Sequence, residues 1–244
     1  MVESDIQLKL LAGLPISIDG LGQLRQLPLK EIVNMDESVY NQHLSVLLFD
    51  KTNIEQLQDQ DASNYEMLIA VSYQDINFRE MFIKGLELFF NEKANFFFNE
   101  NYAFFYLGEI DEERVLSAER LETMQKLLKK INNLQEKKEE EAYNPGNEMA
   151  RKFIEKLKKI KAEAPKKKES INLHSLVSGL AWKSHSININ SIWDLTIYQI
   201  YDGFSRTQSI ENYDNVMRGI YAGTINGKDI DLSKINWANI IKIN

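Results

Sequence analysis

Between residues 136 and 169 the chain carries almost nothing it could bury, and that stretch constrains the fold more than any motif. Glu136-Lys137-Lys138-Glu139-Glu140-Glu141 is a run of charge, Asn144-Pro145-Gly146 breaks any helix, and Ala164-Pro165-Lys166-Lys167-Lys168-Glu169 breaks it again. Only Met149, Phe153, Leu157 and Ile160 keep a thin apolar stripe at helical spacing. This composition predicts a partly helical linker. The 244 residues then divide into a domain at 1–135, a charged linker at 136–169 and a second domain at 170–244.

The first part reads as α+β. The opening thirty residues have the pattern of strand and turn: Leu14, Ile16 and Ile18 alternate, Asp19-Gly20-Leu21-Gly22 turns, and Leu24 and Leu27 follow. This is a hairpin signature. Pro28 opens a short helix, and Asp36 is the expected N-cap of the next, whose apolar face is Val39, Tyr40, Leu44, Leu47 and Leu48. Lys51 to Asn64 is polar, a short helix or a mobile connection; helical spacing resumes from Tyr65 to Phe89. Phe96-Phe97-Phe98, Asn99-Glu100-Asn101 and Tyr102-Ala103-Phe104-Phe105-Tyr106 then read as aromatic strand, turn, aromatic strand. A second hairpin with both strands largely buried is expected. Ser117 begins a helix bearing Leu121, Met124, Leu127, Leu128, Ile131 and Leu134.

The second part reads as a small helical unit. Ser170 is positioned to cap a helix with Leu173, Leu176, Val177 and Leu180; Asn188-Ile189-Asn190-Ser191 interrupts. Ile192 to Phe204 is apolar nearly all round, as befits a bundle centre or an interface. An amphipathic helix through Ile210, Tyr213, Val216, Met217, Ile220 and Tyr221 ends at Gly223, a suitable C′ residue. About seventy-five residues is marginal for a lone core, so docking or oligomerisation would help it.

Catalytic chemistry is hard to find. With no cysteine, disulfides, thiolate metal sites and cysteine catalysis are excluded. Gly20-Leu21-Gly22 fails as a dinucleotide loop because Arg25 holds the third glycine position. His174-Ser175 and His185-Ser186 are neighbours in sequence, which point apart on a helix, and His43 sits on a helix as a core or rim residue. Glu109, Asp111, Glu112 and Glu113 lack the spacing of a calcium loop and read better as an acidic turn before a helix. No catalytic residue, cofactor or metal is therefore assigned. No apolar run is long enough to span a bilayer and the N-terminus lacks a signal-peptide pattern, so a soluble intracellular chain with no membrane partner is expected.

Net charge is −7, yet residues 151–169 hold nine Lys and Arg against three Glu, a local +6. That run could touch phosphates in a salt-dependent way, but no aromatic platform adjoins it, and a solvated linker is the better reading. The aromatic C-terminal helix offers core residues and partner contacts together. Tyr198, Tyr201 and Trp237 are the best placed to face a partner, with Trp193 beside them and Arg206 near the helix end.

Two stretches resemble a known family. Pro28-Leu-Lys-Glu-Ile-Val33 with Tyr40-Asn41-Gln42-His43-Leu44 is one; Ser191-Ile-Trp-Asp-Leu-Thr-Ile-Tyr-Gln-Ile-Tyr-Asp202-Gly-Phe-Ser-Arg206, with Tyr213 and Ala222-Gly223, is the more distinctive. They are similar to accessory proteins encoded among the structural genes of tailed phages of Gram-positive bacteria, in particular tail assembly chaperones. The resemblance implies a non-enzymatic role: shielding the tape measure protein, or binding tail-tube subunits, in the host cytoplasm. A virion adaptor at the head–tail junction or baseplate is the alternative it implies, and the basic linker keeps a nucleic-acid role as a second.

Overall fold

A computed structural model of the chain describes residues 3–54, 61–110, 114–134 and 172–240. The elements are α1 (Glu3–Leu11), β1 (Ile16–Ile18), β2 (Gly22–Leu24), α2 (Leu29–Asn34), α3 (Glu37–Leu47), α4 (Asn64–Gln74), α5 (Ile76–Phe90), β3 (Ala94–Phe98), β4 (Ala103–Leu107), α6 (Ala118–Ile131), α7 (Leu173–Lys183) and α8 (Ile197–Tyr221). The architecture is α+β, with two separate two-stranded antiparallel sheets and a helical C-terminal region. The linker expected at 136–169 lies outside the described residues, as does Ser170.

Both hairpins form. Ile16 pairs with Leu24 and Ile18 with Gly22 around the Gly20 turn. In the second, Ala94 pairs with Leu107, Phe96 with Phe105, Phe97 with Phe104 and Phe98 with Ala103. This second hairpin is not buried on both faces as expected. Phe105 and Leu107 are sealed in the core, whereas Phe97 and Phe104 stack on each other at 5.1 Å on the outer face and stay half-exposed. Only one side of the pleat meets a helix, so alternation decides burial.

The N-terminus is a second correction, for it begins with a helix. Ile6 and Leu10 stand four apart on one face, and Leu10 is buried. The helix stops where the Gly13 N–H reaches the Leu10 carbonyl (3.1 Å) and the Leu14 N–H reaches that of Lys9 (2.9 Å), the paired C-terminal closure of a Schellman motif. At Asp36 the chain takes φ 73°, and the carboxylate makes no cap bond to α3. The residue serves the tight turn from α2, its N–H donating to Val33. Ser117 does cap α6, accepting from the Arg120 N–H, and α5 is opened by Asp75, which accepts from Asn77 and Phe78.

The core forms around α5. Phe82, Leu86, Phe89 and Phe90 are buried from that helix, against Tyr40, Leu44 and Leu47 of α3 and Phe105 of β4. Ring centroids of Phe82 and Phe105 lie 4.5 Å apart, and those of Phe96 and Phe105 4.6 Å. Each such phenyl stabilises by roughly 1.5–3 kcal/mol through area removed from water. At Gly85 the two helices touch, since a Cβ there would meet the Leu47 side chain at 3.0 Å. Leu121, Met124, Leu127, Leu128 and Ile131 of α6 fill the same cluster.

Leu176, Val177, Leu180, Ile192, Ile197 and Ile200, expected to core a C-terminal bundle, belong to that same cluster, and Ala181 joins them. The returning chain is stitched to the N-terminal part by backbone and side chain. Leu29 N–H donates to Leu195 (2.8 Å), Pro28 bridges Thr196, Lys30 pairs with Asp194 at 2.6 Å, and Gln199 Nε2 donates to Leu11 (2.9 Å). Docking thus supplies the apolar cover that so short a segment lacks by itself.

Candidate protein-docking site

The C-terminal region begins at a cap. Asn172 accepts from the Ser175 N–H and Ser175 reaches back to Asn172, so α7 starts at Leu173. α8 opens in the same reciprocal way, with Thr196 and Gln199. Two helices were expected at 192–204 and 210–221. The structure has a short 3-10 turn at Ile192–Asp194 and then one continuous helix of 25 residues, Ile197–Tyr221. Nothing between Phe204 and Ile210 breaks it, because Ser205, Thr207 and Ser209 are weak helix formers rather than breakers. Gly223 takes φ 73° just beyond the helix, the C′ conformation expected of it.

Burial along this helix is lopsided. Ile197 and Ile200 are buried in the common core; from residue 201 to residue 240 no side chain is. Yet that stretch carries Tyr201, Phe204, Ile210, Tyr213, Val216, Met217, Ile220 and Tyr221, followed by Ile225, Ile230, Leu232, Ile235, Trp237 and Ile240. The segment after Gly223 folds back along α8. The Arg206 guanidinium donates to the carbonyls of Trp237 and Asn239, Ile225 lies over Gly219 and Ile220 over Gly227. The helix and this strip of turns thus cover each other in part, while Lys183 at the end of α7 pairs with Glu211 at 2.6 Å. Asp202 sits one turn before Arg206; burial pushes its carboxyl above the usual range, and the guanidinium pulls it partly back.

The five residues singled out in the sequence fall into two groups. Trp193, Tyr198 and Tyr201 are half-buried and pack against the core cluster. Arg206 and Trp237 are brought together on the fold-back arm, where Trp237 is 48% exposed. Three strongly exposed groups were missed: Trp182 at the end of α7 (79%), Tyr221 (82%) and Ile240 (87%). Trp182 had a readable signal, since it stands off the Leu173–Leu176–Leu180 stripe of its helix. The exposure of Tyr221 follows from the path of the fold-back segment.

The other polar candidates are engaged elsewhere. The Ser175 hydroxyl is held by Asn172, and that of Ser186 lies 3.3 Å from the Ser184 hydroxyl. His174 and His185 are exposed, while His43 Nδ1 is buried without a hydrogen-bond partner. Among the described residues no three His, Asp or Glu side chains are grouped to hold a metal ion, and no helix is long and apolar enough to cross a membrane. Asp111, Glu112 and Glu113 of the acidic turn, and the whole basic run 151–169, lie outside the described residues.

Comparison with known proteins places a label on this same region. Residues 166–242 match the model of the YomV second domain, of a phage-associated family. The match covers about a third of the chain and takes in α7, α8 and the fold-back segment. No curated protein and no solved structure matches the chain.

Proposed function

We propose that this chain is a non-enzymatic assembly factor of a tailed phage, acting in the host cytoplasm and binding other tail proteins as a tape measure chaperone does. The observation that carries the reading is the absence of any buried side chain from 201 to 240 in a stretch rich in aromatic and branched apolar residues. A long helix whose distal half meets the end of α7, through Lys183 and Glu211 at 2.6 Å, and one strip of chain leaves apolar area in water, and aromatic groups so placed are the usual anchors of protein interfaces. Charge argues in the same direction. Asp202, Glu211, Asp214, Asp229 and Asp231 are nearly balanced by Arg206, Arg218, Lys228 and Lys234, which suits an apolar protein partner better than a polyphosphate. The similarity of 166–242 to a phage-associated domain supports the setting.

The test is co-expression with the tape measure and tail-tube proteins of the same phage. Capture of either, lost in a Trp237→Ser Tyr221→Ser variant, is the expected result. A chain that captures neither, at concentrations where it is folded, overturns the chaperone reading. Mass spectrometry of finished particles distinguishes a chaperone, which is left behind, from a virion adaptor, which remains.

A further inference from the structure

We propose that β3 is a dimerisation edge, and that a second copy of this chain pairs with it antiparallel to give a four-stranded sheet. This inference is independent of the C-terminal arm. It starts from which backbone groups the β3–β4 ladder uses. The Leu116 N–H donates to the Phe105 carbonyl at 2.8 Å, so Phe105 turns its backbone away from β3. In an antiparallel pair the residue opposite must then turn its own groups the other way. Phe96 is that residue, and Phe98 follows two positions on. Bonds at both ends fix the same phase: Gly108 N–H to Lys93 (2.7 Å) and Asn99 N–H to Tyr102 (2.8 Å).

The β4 side of this sheet is covered by the Tyr106–Val115 bridge. The β3 side is not. Ala94 N–H is taken by Glu87 Oε1 at 3.3 Å, while the N–H and C=O groups of Phe96 and Phe98 bond to nothing else in the described chain. Natural edges are usually guarded by lysine, proline or a bulge in the strand; this one reads Ala-Asn-Phe-Phe-Phe. Its inner rings are already fixed, with Arg79 over Phe96 and Phe98 at 5.5 and 5.6 Å and Tyr73 edge-on to Phe98. A two-stranded sheet is also the smallest there is, and gains most from added strands.

The occupant is argued from symmetry and charge. A two-fold axis through Phe96 sets Phe96 opposite its own copy and Phe98 opposite Ala94, so the free Phe96 and Phe98 N–H groups all find carbonyls. The same register sets Lys93 opposite Asn99 and next to Glu100 of the second copy, twice over, while Glu92, which comes opposite that Glu100, is already neutralised by Arg114 at 2.6 Å. On the outer face, Phe97, Tyr102 and Phe104 line a cavity of about 520 Å³ with Ile110 and Val115; it reaches toward the β4 edge, and only Phe97 of its lining borders the new strand. One short strand pair with these rings falls short of the roughly 1,200–2,000 Å² of a stable interface. The dimer is therefore concentration-dependent.

Sedimentation equilibrium on the full chain over a wide concentration range tests this. Phe98→Pro removes an N–H that makes no bond among the described residues, so the β3–β4 ladder survives while the new one is cut; Phe98→Lys guards the edge by charge. The expected result is a monomer–dimer equilibrium whose dissociation constant rises at least about tenfold in both variants, that factor being one broken charge-free contact of some 1.4 kcal/mol. Far-UV circular dichroism should stay unchanged. Hydrogen exchange at the Phe96 and Phe98 amides should slow as protein concentration rises. A chain that stays monomeric throughout overturns the proposal. So does a dimer that both variants leave intact, or one that is lost only when residues 223–240 are removed.

Discussion

α5 and α8 are both apolar-rich helices, and they meet opposite fates. α5 buries Phe82, Leu86, Phe89 and Phe90 because α3, β3 and β4 close around it. α8 is longer, 25 residues against 15, and buries only Ile197 and Ile200, where its first turns meet the body. Beyond them Tyr201 and Phe204 lean on the core, Lys183 of α7 pairs with Glu211, and the fold-back strip lies along the helix, but no side chain is enclosed. Helix formation and core formation are thus separate events: propensity and capping suffice to shape α8, while enclosure needs cover on every side. The first region is stabilised from within. The second leaves apolar surface in water.

That contrast can be broken most forcefully in the body. Phe82→Ala should cost about 3–5 kcal/mol, through lost transfer energy and a cavity against Phe105, and thermal or urea unfolding reads it. The matched change in the arm, Tyr213→Ala, should cost under about 1 kcal/mol, since no cavity is created. Equal losses would mean that the arm has a core of its own.

Tyr40 gives the next effect. Its hydroxyl bonds Asn132 in a buried pair, so Tyr40→Phe leaves Asn132 Oδ1 unsatisfied at a cost of about 1–3 kcal/mol. Burial also raises the Tyr40 phenol well above its ordinary value, against the opposing Asn132 bond. The unfolded chain therefore ionises first as pH rises. Stability from this group is complete below a pH of about 10 and declines above it, and Tyr40→Phe should flatten that alkaline limb in denaturant titrations.

Smaller effects belong to the arm. Arg206→Met removes the donor that holds the Trp237 and Asn239 carbonyls; global stability should fall by less than about 1 kcal/mol, while limited proteolysis after Gly223 accelerates several-fold. Trp237→Ser should move the unfolding midpoint least of all, within about 0.5 kcal/mol, and still abolish partner capture. A variant with normal capture would remove Trp237 from the docking surface.

Much of this contrast was legible in the sequence. The first hairpin was written in alternation and glycine, the second in aromatic runs around Asn99-Glu100-Asn101, the α6 start in Ser117, and the α8 stop in Gly223, because each is a local matter of backbone geometry. α1 was missed because its apolar stripe is only Ile6 and Leu10, too short to outweigh the extended pattern that follows. The single helix at Ile197–Tyr221 was missed because its apolar positions drift round the axis, which looks like two helices when a helix is assumed to have one buried face. Trp193 and Tyr198 could be named as ring-bearing candidates. That they lean on the N-terminal body, while Arg206 and Trp237 meet on the arm, depends on contacts distant in the chain, such as Lys30 with Asp194, 164 residues apart.

Native-state hydrogen exchange on the isolated 244-residue chain tests the central claim most directly. Amides of α5 and α6 should exchange only through global unfolding, and those from Ile210 to Tyr221 through local opening at far lower free energy. Protection in that distal half of α8 equal to that of α5 would contradict it, because an arm as stable as the body would have no surface left needing a partner.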